Sequence, residues 1–238
     1  MELASASALI TGASRGIGRS VALALARAGA HLTLVARSRK DLDGVATEIA
    51  AAGGLAIVHV ADLRDASAAS SAVDAAVSAW GGLQILVNNA GVGGFSPLAE
   101  TSDEDWERIL GTNLTAVFRL TRAALPHLME RGGHVFMISS LAGQNAIPNM
   151  SAYCASKAAL DQLASCLMLE VRHKGVKVTT LAPGSVDTGF SGMPRAGDSS
   201  WMLQADDVAS TVLDLLRTRD GAHLSRVEMR PAQPQKKA

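Results

Sequence analysis

Thr11-Gly12-Ala13-Ser14-Arg15-Gly16-Ile17-Gly18 is the stretch on which the reading of this chain turns. It follows an apolar run at residues 6–10 that reads as a strand. It precedes residues 19–28, where Val21, Leu25 and Ala28 recur at helical spacing. A strand, a glycine-rich turn and a helix together present backbone N–H groups and a helix N-terminus to a phosphate. Gly12 suits the sharp turn, Gly16 the close approach of backbone to a pyrophosphate, and Gly18 the packing of helix on strand. The spacing is G-x3-G-x-G rather than the commoner G-x-G-x-x-G, and no Lys-Ser/Thr pair makes it a P-loop. Taken alone, the stretch fits a dinucleotide site or a strand–helix turn that merely needs glycines.

The same alternation runs on through the chain. Apolar runs at 30–36, 55–60, 83–87, 134–138, 177–181 and 225–230 read as strands. The segments at 40–52, 66–80, 102–129, 152–174 and 206–217 read as helices. Thr101-Ser102-Asp103-Glu104-Asp105 offers an N-cap and first-turn acids for the helix at 102–129. Strands that are apolar without two-fold alternation belong to a parallel sheet covered on both faces. The expected fold is therefore α/β, a Rossmann-type doubly wound, mostly parallel seven-stranded sheet with helices on both faces. It forms a single domain over residues 1–230, with a substrate lid at about 188–204 and a disordered Pro/Gln/Lys-rich tail at 231–238. Ligands of such a sheet lie at the carboxyl ends of its strands.

Composition narrows the function. At 238 residues, 48% hydrophobic and 18% charged, the chain is long enough for one sizeable core. Its 22 basic and 22 acidic residues cancel, so no electrostatic case arises for nucleic acid or an anionic membrane. Residues 1–10 lack the basic start and apolar centre of a signal peptide. No apolar run approaches the roughly 20 residues of a membrane span. Cys154 and Cys166 share one expected helix, about 18 Å apart along its axis, too far to bridge. Free thiols point to a reducing compartment, most simply the cytoplasm. The six histidines show no ligand spacing such as H-x3-H, so no metal is expected. Gly189-Phe190-Ser191-Gly192-Met193 is not the G-x-S-x-G of a hydrolase elbow.

The chemistry-bearing residues fall just after strands. Past the second strand stand Arg37-Ser38-Arg39-Lys40, with no acid before Asp41. An acid there would accept from a free ribose 2′-hydroxyl, whereas a base pairs with a 2′-phosphate. Arg37, with Arg15 inside the glycine turn, therefore favours NADP over NAD, although solvated surface arginines would look the same. After the third strand, Asp62-Leu63 is placed to accept from an adenine amino group or to cap a helix. Tyr153, the chain's one tyrosine, lies a helical turn before Lys157, so the two stack on one face. A phenol of ordinary pKa about 10 is an acid at neutral pH. A neighbouring ammonium stabilises the phenolate and eases proton donation and recovery. Ser139-Ser140 ends the fifth strand and brings a hydroxyl to the same edge. Asn113 stands inside a helix, where its amide competes with the backbone, and so asks for a reason.

T-G-x-x-x-G-x-G at 11–18, N-N-A-G at 88–91, Asn113, Ser140 with Tyr153-x-x-x-Lys157, and Pro183-Gly184, in that order, resemble the short-chain dehydrogenase/reductase family. The likeness spans about residues 5–230. It implies that Tyr153 is the general acid protonating a carbonyl oxygen as hydride arrives, with Lys157 lowering its pKa and binding the nicotinamide ribose. It implies that Ser140 hydrogen-bonds the substrate oxygen and that Asn113 holds a water linking Lys157 to solvent. Gly12, Ser14, Arg15, Gly16, Ile17, Gly18, Arg37, Asp62 and Leu63 would bind the adenosine and phosphate side of NADP(H). Asn89 and Gly91 would stabilise the central sheet beside it. Pro183, Gly184, Val186 and Thr188 would face the nicotinamide, the last two positioning its carboxamide. Family members pair through the two long helices, which implies a homodimer or homotetramer.

Substrate contacts are expected from Gly93, Gly94 and Phe95, from Leu141, Gln144, Ile147 and Met150, and from lid residues Phe190, Met193, Trp201 and Met202. Such linings suit an apolar ketone, an aldehyde or an acyl chain. A 3-oxoacyl thioester on an acidic carrier would use Arg131 and Lys174 as a docking patch. The ending Ser225-Arg226-Val227-Glu228-Met229-Arg230-Pro231 looks instead like NADP-dependent reductases of small carbonyls, sepiapterin-type members included. The expected function is NADPH-dependent reduction of a small-molecule carbonyl. The other reading is a catalytically idle NADP-sensing or scaffold protein on the same fold.

Overall fold

A computed structural model describes residues 1–190 and 198–233. In chain order the elements are β1 (Ser7–Thr11), α1 (Gly16–Arg27), β2 (His31–Ala36), α2 (Arg39–Ala51), β3 (Leu55–Val60), α3 (Ala68–Trp80) and β4 (Ile85–Asn88). They continue with α4 (Asp103–Leu110), α5 (Ala116–Arg131), β5 (His134–Ile138), α6 (Ser151–Val171) and β6 (Lys177–Pro183). After these come β7 (Val186–Asp187), β8 (Leu203–Gln204), α7 (Ala205–Arg217) and β9 (Arg226–Met229).

The seven-stranded sheet has the order β3-β2-β1-β4-β5-β6-β9, and every neighbouring pair is parallel. Its central strands are apolar throughout because both faces are covered: β1, β4 and β5 are buried along their whole length. Ile10, Ile85 and Phe136 pack on one side against α1, α2 and α7 through Leu25, Leu42 and Val212. Leu9, Leu86 and Met137 pack on the other against α3, α5 and α6 through Val73, Leu120 and Leu160. The strand order reverses between β1 and β4, so the crevice for a ligand opens at their carboxyl ends. Among the described residues, no helix is long and apolar enough to cross a membrane.

The sheet is as expected, but one helix is not. The segment expected as a single helix over 102–129 is three pieces: α4, a π turn at Gly111–Thr115, and α5. α4 begins on its expected cap, Ser102, whose hydroxyl accepts from Asp105 N at 3.1 Å. The π turn contains Asn113, and the widened turn carries its amide inward to partners outside the helix. Asn113 Oδ1 accepts from Val92 N at 2.8 Å, and Nδ2 donates to Val92 O at 2.9 Å and Ser156 Oγ at 3.0 Å. Single π turns of this kind concentrate at functional sites. Elsewhere α1 starts earlier than expected, at Gly16, and α6 ends at Val171 with a 3₁₀ turn at Arg172–Lys174.

The expected lid is tied at both ends. Val186–Asp187 pairs in parallel with Leu203–Gln204, a ribbon too short to register as hydrophobic periodicity. Residues 191–197, Met193 among them, and 234–238 of the expected tail lie outside the described residues.

Candidate active site

The glycine turn is shaped by backbone, and its threonine and an asparagine rivet it to the next strand. Gly12 has φ +64 and Gly16 φ +54, a region that favours glycine. Thr11 Oγ1 donates to Val87 O at 3.2 Å and accepts from Asn89 N and Ala90 N, each at 3.0 Å. Asn89 Nδ2 answers by donating to the Thr11 and Gly12 carbonyls at 2.8 and 3.3 Å. Together they lock the ends of β1 and β4 across the switch point. Sequence reasoning placed Asn89 there but gave Thr11 no task, because its partners lie about 80 residues away. A side chain on Gly18 would fall onto the Gly12 carbonyl oxygen, and one on Gly16 would stand 3.0 Å from Thr188 Cβ. The N-terminus of α1 has no side-chain cap and no acid in its first turn, which leaves its first amides to an anion.

Arg15 and Arg37 are both exposed, and neither joins an ion pair among the described residues. Asp62 differs. Arg64 grips its carboxylate at 2.7 and 3.1 Å and holds its pKa below the usual carboxylate range. The adjoining Leu63 is buried.

Ser140, Tyr153 and Lys157 converge at the carboxyl ends of β4 and β5. α6 carries Tyr153 and Lys157 on its inward face, 8% and 4% exposed. The ammonium lies 5.8 Å from the centre of the tyrosine ring and donates to the Ile138 carbonyl at 2.8 Å. Burial lowers the Lys157 pKa to about 8, while Asp161 one turn on pulls it upward. Burial also raises the Tyr153 phenol to about 12, with the Ser140 hydroxyl working the other way and Cys154 adding to the rise. Desolvation is thus the dominant influence on the phenol. Ser140 caps the turn at Leu141–Gly143, its Oγ accepting from Ala142 N at 3.1 Å. Asn113, 1% exposed, closes the group from the side. Its Oδ1 and the Lys157 Nζ stand 3.3 and 3.8 Å from where a Cβ on Gly91 would be, so a larger residue at 91 would crowd between them.

The expected substrate loops divide. Phe190 tilts over Tyr153 at 5.9 Å between ring centres, and Met150 packs beside it in the same small apolar cluster. A cavity of about 250 Å³ runs from Gly93, Gly94 and Phe95 to Asn149 and Met150, with Asp105 and Arg108 at its wall. Ile147 is exposed. Trp201 is held by its own loop, its Nε1 donating to Asp198 O at 2.9 Å. Gln144 meets Arg226 and Glu228 on the last strand. Arg131, exposed at the end of α5, donates to Gly81 O at 2.8 Å. Gly184 is fastened to the last strand, its N–H donating to Met229 O at 2.8 Å. Val186 opens the β7–β8 ribbon, and Thr188 lies against Gly16.

A parallel doubly wound sheet with a glycine-rich first turn and a buried Ser–Tyr–Lys group at its switch-point edge is the architecture of a short-chain oxidoreductase. The family model for short chain dehydrogenase matches residues 6–197, and the chain belongs to that family. It is 40% identical over 183 residues to EphD of Mycobacterium tuberculosis, named a probable oxidoreductase; the match covers 76% of this chain but spans only 31% of that protein. It is 34% identical over 232 residues to the sepiapterin reductase of Chlorobaculum tepidum, covering 94% of this chain and 95% of that one. Among solved structures, the alcohol dehydrogenase of the archaeon Thermococcus sibiricus, complexed with 5-hydroxy-NADP, aligns with a TM-score of 0.91 at 31% identity. That alignment covers 98% of this chain and 99% of the other.

Proposed function

We propose that this chain reduces a ketone or aldehyde, or a 3-oxoacyl thioester, to the alcohol with NADPH. The observation that carries the reading is the convergence of Ser140, Tyr153 and Lys157 beside a glycine cradle whose helix N-terminus is open to a phosphate. The residues fit the cofactor: a side chain at 16 would narrow the cradle against Thr188, and Arg15 and Arg37 stand ready for a 2′-phosphate. The NADP derivative bound by the Thermococcus sibiricus enzyme supports NADP over NAD. Gly12, Ser14, Gly16, Ile17 and Gly18 hold the pyrophosphate, with Asp62 and Leu63 at the adenine and Asn89 and Gly91 behind it. Pro183, Gly184, Val186 and Thr188 flank the nicotinamide.

When bound, NADPH supplies the hydride to the carbonyl carbon. Ser140 donates a hydrogen bond to the carbonyl oxygen, and Tyr153 delivers the phenolic proton as that oxygen becomes an alkoxide. Lys157 returns a proton to the phenolate and binds the ribose hydroxyls. Asn113 and Lys157, facing each other past Gly91, hold the water through which Lys157 recovers its own proton. The described residues 188–190 and 198–204 of the expected lid, next to the β7–β8 ribbon, border the substrate. Residues 1–230 act as one catalytic domain in the cytoplasm. Two copies pair through α5 and α6, where Phe118 and Leu169 are exposed.

NADPH oxidation against a panel of ketones, aldehydes and 3-oxoacyl thioesters tests the reading. Turnover of at least one class is expected. Tyr153→Phe should lose roughly a hundredfold to ten-thousandfold in kcat while keeping its NADPH affinity. If NADPH binds normally and no panel member reacts, the chain is a cofactor sensor or scaffold instead.

A further inference from the structure

A charged cluster on the last strand reaches into the segments that carry the proposed reacting groups. Arg226 on β9 pairs with Asp161 Oδ2 at 2.9 Å, and its Nε lies 3.6 Å from Glu228 Oε1. The Gln144 amide completes the group. With the amide oriented as its charged neighbours require, its oxygen accepts from Arg226 Nη2 at 2.8 Å and Nε at 3.0 Å, and its nitrogen donates to Glu228 Oε1 at 2.6 Å. The Arg226 and Asp161 side chains are 29% and 12% exposed, so the pair is mostly withdrawn from water and is not an ordinary surface bridge.

Each partner sits on a segment with a second attachment to the centre. Asp161 is one helical turn past Lys157, and its Oδ1 is buried without a hydrogen-bond partner, so part of the carboxylate charge stays unscreened. Gln144 ends the turn capped by Ser140. That turn lies flat on α6 at Gly143, where a Cβ would stand 2.6 Å from Asp161 Oδ2 and 3.1 Å from the Lys157 carbonyl oxygen. A shift of the turn therefore moves the Ser140 hydroxyl against Tyr153 and Lys157.

We infer that Arg226 is a positioning residue: through Gln144 it fixes the turn that aims Ser140, and through Asp161 it sets the charge that Lys157 feels. The inference rests on the proposed roles of Ser140, Tyr153 and Lys157. The groups facing Lys157 are Tyr153 and Asp161 from α6, the Ile138 carbonyl from β5 and the Asn113 amide from the π turn. Arg226 and Glu228 face Asp161 from β9. Other charges on elements packed against α6 are remote or offset. His134 and Lys177 stand at the opposite ends of their strands, and Arg172, His173 and Lys174 lie more than about 20 Å along the helix axis. Asp105 and Arg108 on α4 neutralise each other at 2.7 Å, and the remaining α4 acids are exposed.

The test compares Arg226→Gln, Arg226→Lys and Asp161→Asn with the parent chain, each first shown to be folded. Arg226→Gln should lower kcat about tenfold to a hundredfold with NADPH affinity unchanged, because the aim of Ser140 is lost and the cofactor cradle is not touched. Arg226→Lys, which keeps the charge but not the fork, should recover part of that loss. Nitrogen NMR of labelled lysine reads Lys157 directly. Its titration, near pH 8 in the parent, should move down in Asp161→Asn and up in Arg226→Gln. Opposite shifts from two halves of one ion pair are not what a simple loss of stability produces. If Arg226→Gln is less heat-stable yet keeps the parent kcat and Lys157 titration, the cluster only clamps β9 and the inference fails. Tyr153→Phe run alongside separates the two claims, since full activity in that variant removes the proposed reaction chemistry while the lysine titration still reads the cluster.

Discussion

His134 opens β5 at the end of the strand remote from the candidate site and is 3% exposed. Its ring stacks on Phe136 with centres 4.1 Å apart. Its Nε2 meets Thr179 Oγ1 at 2.8 Å, and that hydroxyl donates onward to Leu224 O at 2.7 Å. With the threonine proton committed, the imidazole must donate from Nε2, which fixes the tautomer of its neutral form. Burial, followed by the nearby His223 and Lys177, lowers its pKa from 6.5 to about 3. The unfolded chain takes up this proton near 6.5 and the folded chain near 3, so the unfolded state binds more protons in between. Stability from His134 is therefore complete well above pH 6.5 and is lost as the pH falls below it. Integrated from pH 7 to pH 5, the loss is about 2 kcal/mol. For a chain of this size that is roughly 4–8 °C in Tm. Denaturant unfolding at pH 7 and pH 5, for the parent and for His134→Gln, isolates the effect. The glutamine amide can still donate to Thr179 but does not titrate, and His59, also lowered by burial, shifts both proteins alike. The parent should lose about 2 kcal/mol more than the variant between the two pH values. Parallel losses would refute a buried neutral His134.

Three further outcomes follow from single contacts. Gly18→Ala puts a methyl against the Gly12 carbonyl oxygen and should cost about 1–3 kcal/mol in denaturant unfolding and weaken NADPH binding by calorimetry. Arg37→Asp should move the ratio of kcat/KM values for NADPH and NADH toward NADH by about tenfold or more, and an unchanged ratio removes Arg37 from the ribose phosphate. Phe118→Glu places a charge on the exposed face of α5 and should shift the sedimentation of the protein toward the monomer, whereas an unaltered oligomer puts the contact elsewhere.

Much of the architecture was legible because it is written in local periodicity. Both faces of the sheet are covered, so each central strand is an apolar run, and residues 6–10 and 134–138 announce β1 and β5 within a residue. Asn113 was legible as an anomaly but not as a π turn, since one widened turn inside a long helical pattern scarcely changes the spacing of apolar residues. The partners of Gln144 and Arg131 were hidden for another reason. Arg226 and Gly81 are remote in sequence, and no local pattern says which polar side chain will find a backbone or ionic partner inside the fold. Thr11 belongs with them: its hydroxyl serves three partners on the far side of the switch point. The sign of the Tyr153 shift was also out of reach, because spacing shows the ammonium nearby but not how completely both groups leave water.

That sign bears on the direction of the chemistry. The same burial raises the Tyr153 phenol to about 12 and lowers the Lys157 ammonium to about 8. At neutral pH the phenol is then almost wholly protonated, ready to give its proton to an alkoxide, which is a far stronger base than a phenolate. Once the proton has gone, its return from Lys157 to the phenolate is downhill, and the lysine, with its pKa near 8, refills from solvent at a pH where water can supply it. Run backwards, the cycle needs a phenolate base that burial makes scarce at pH 7. Under the proposed mechanism, desolvation would make Tyr153 a persistent acid and Lys157 its nearby reservoir, and carbonyl reduction would be the direction in which both groups begin in the protonation state that burial favours.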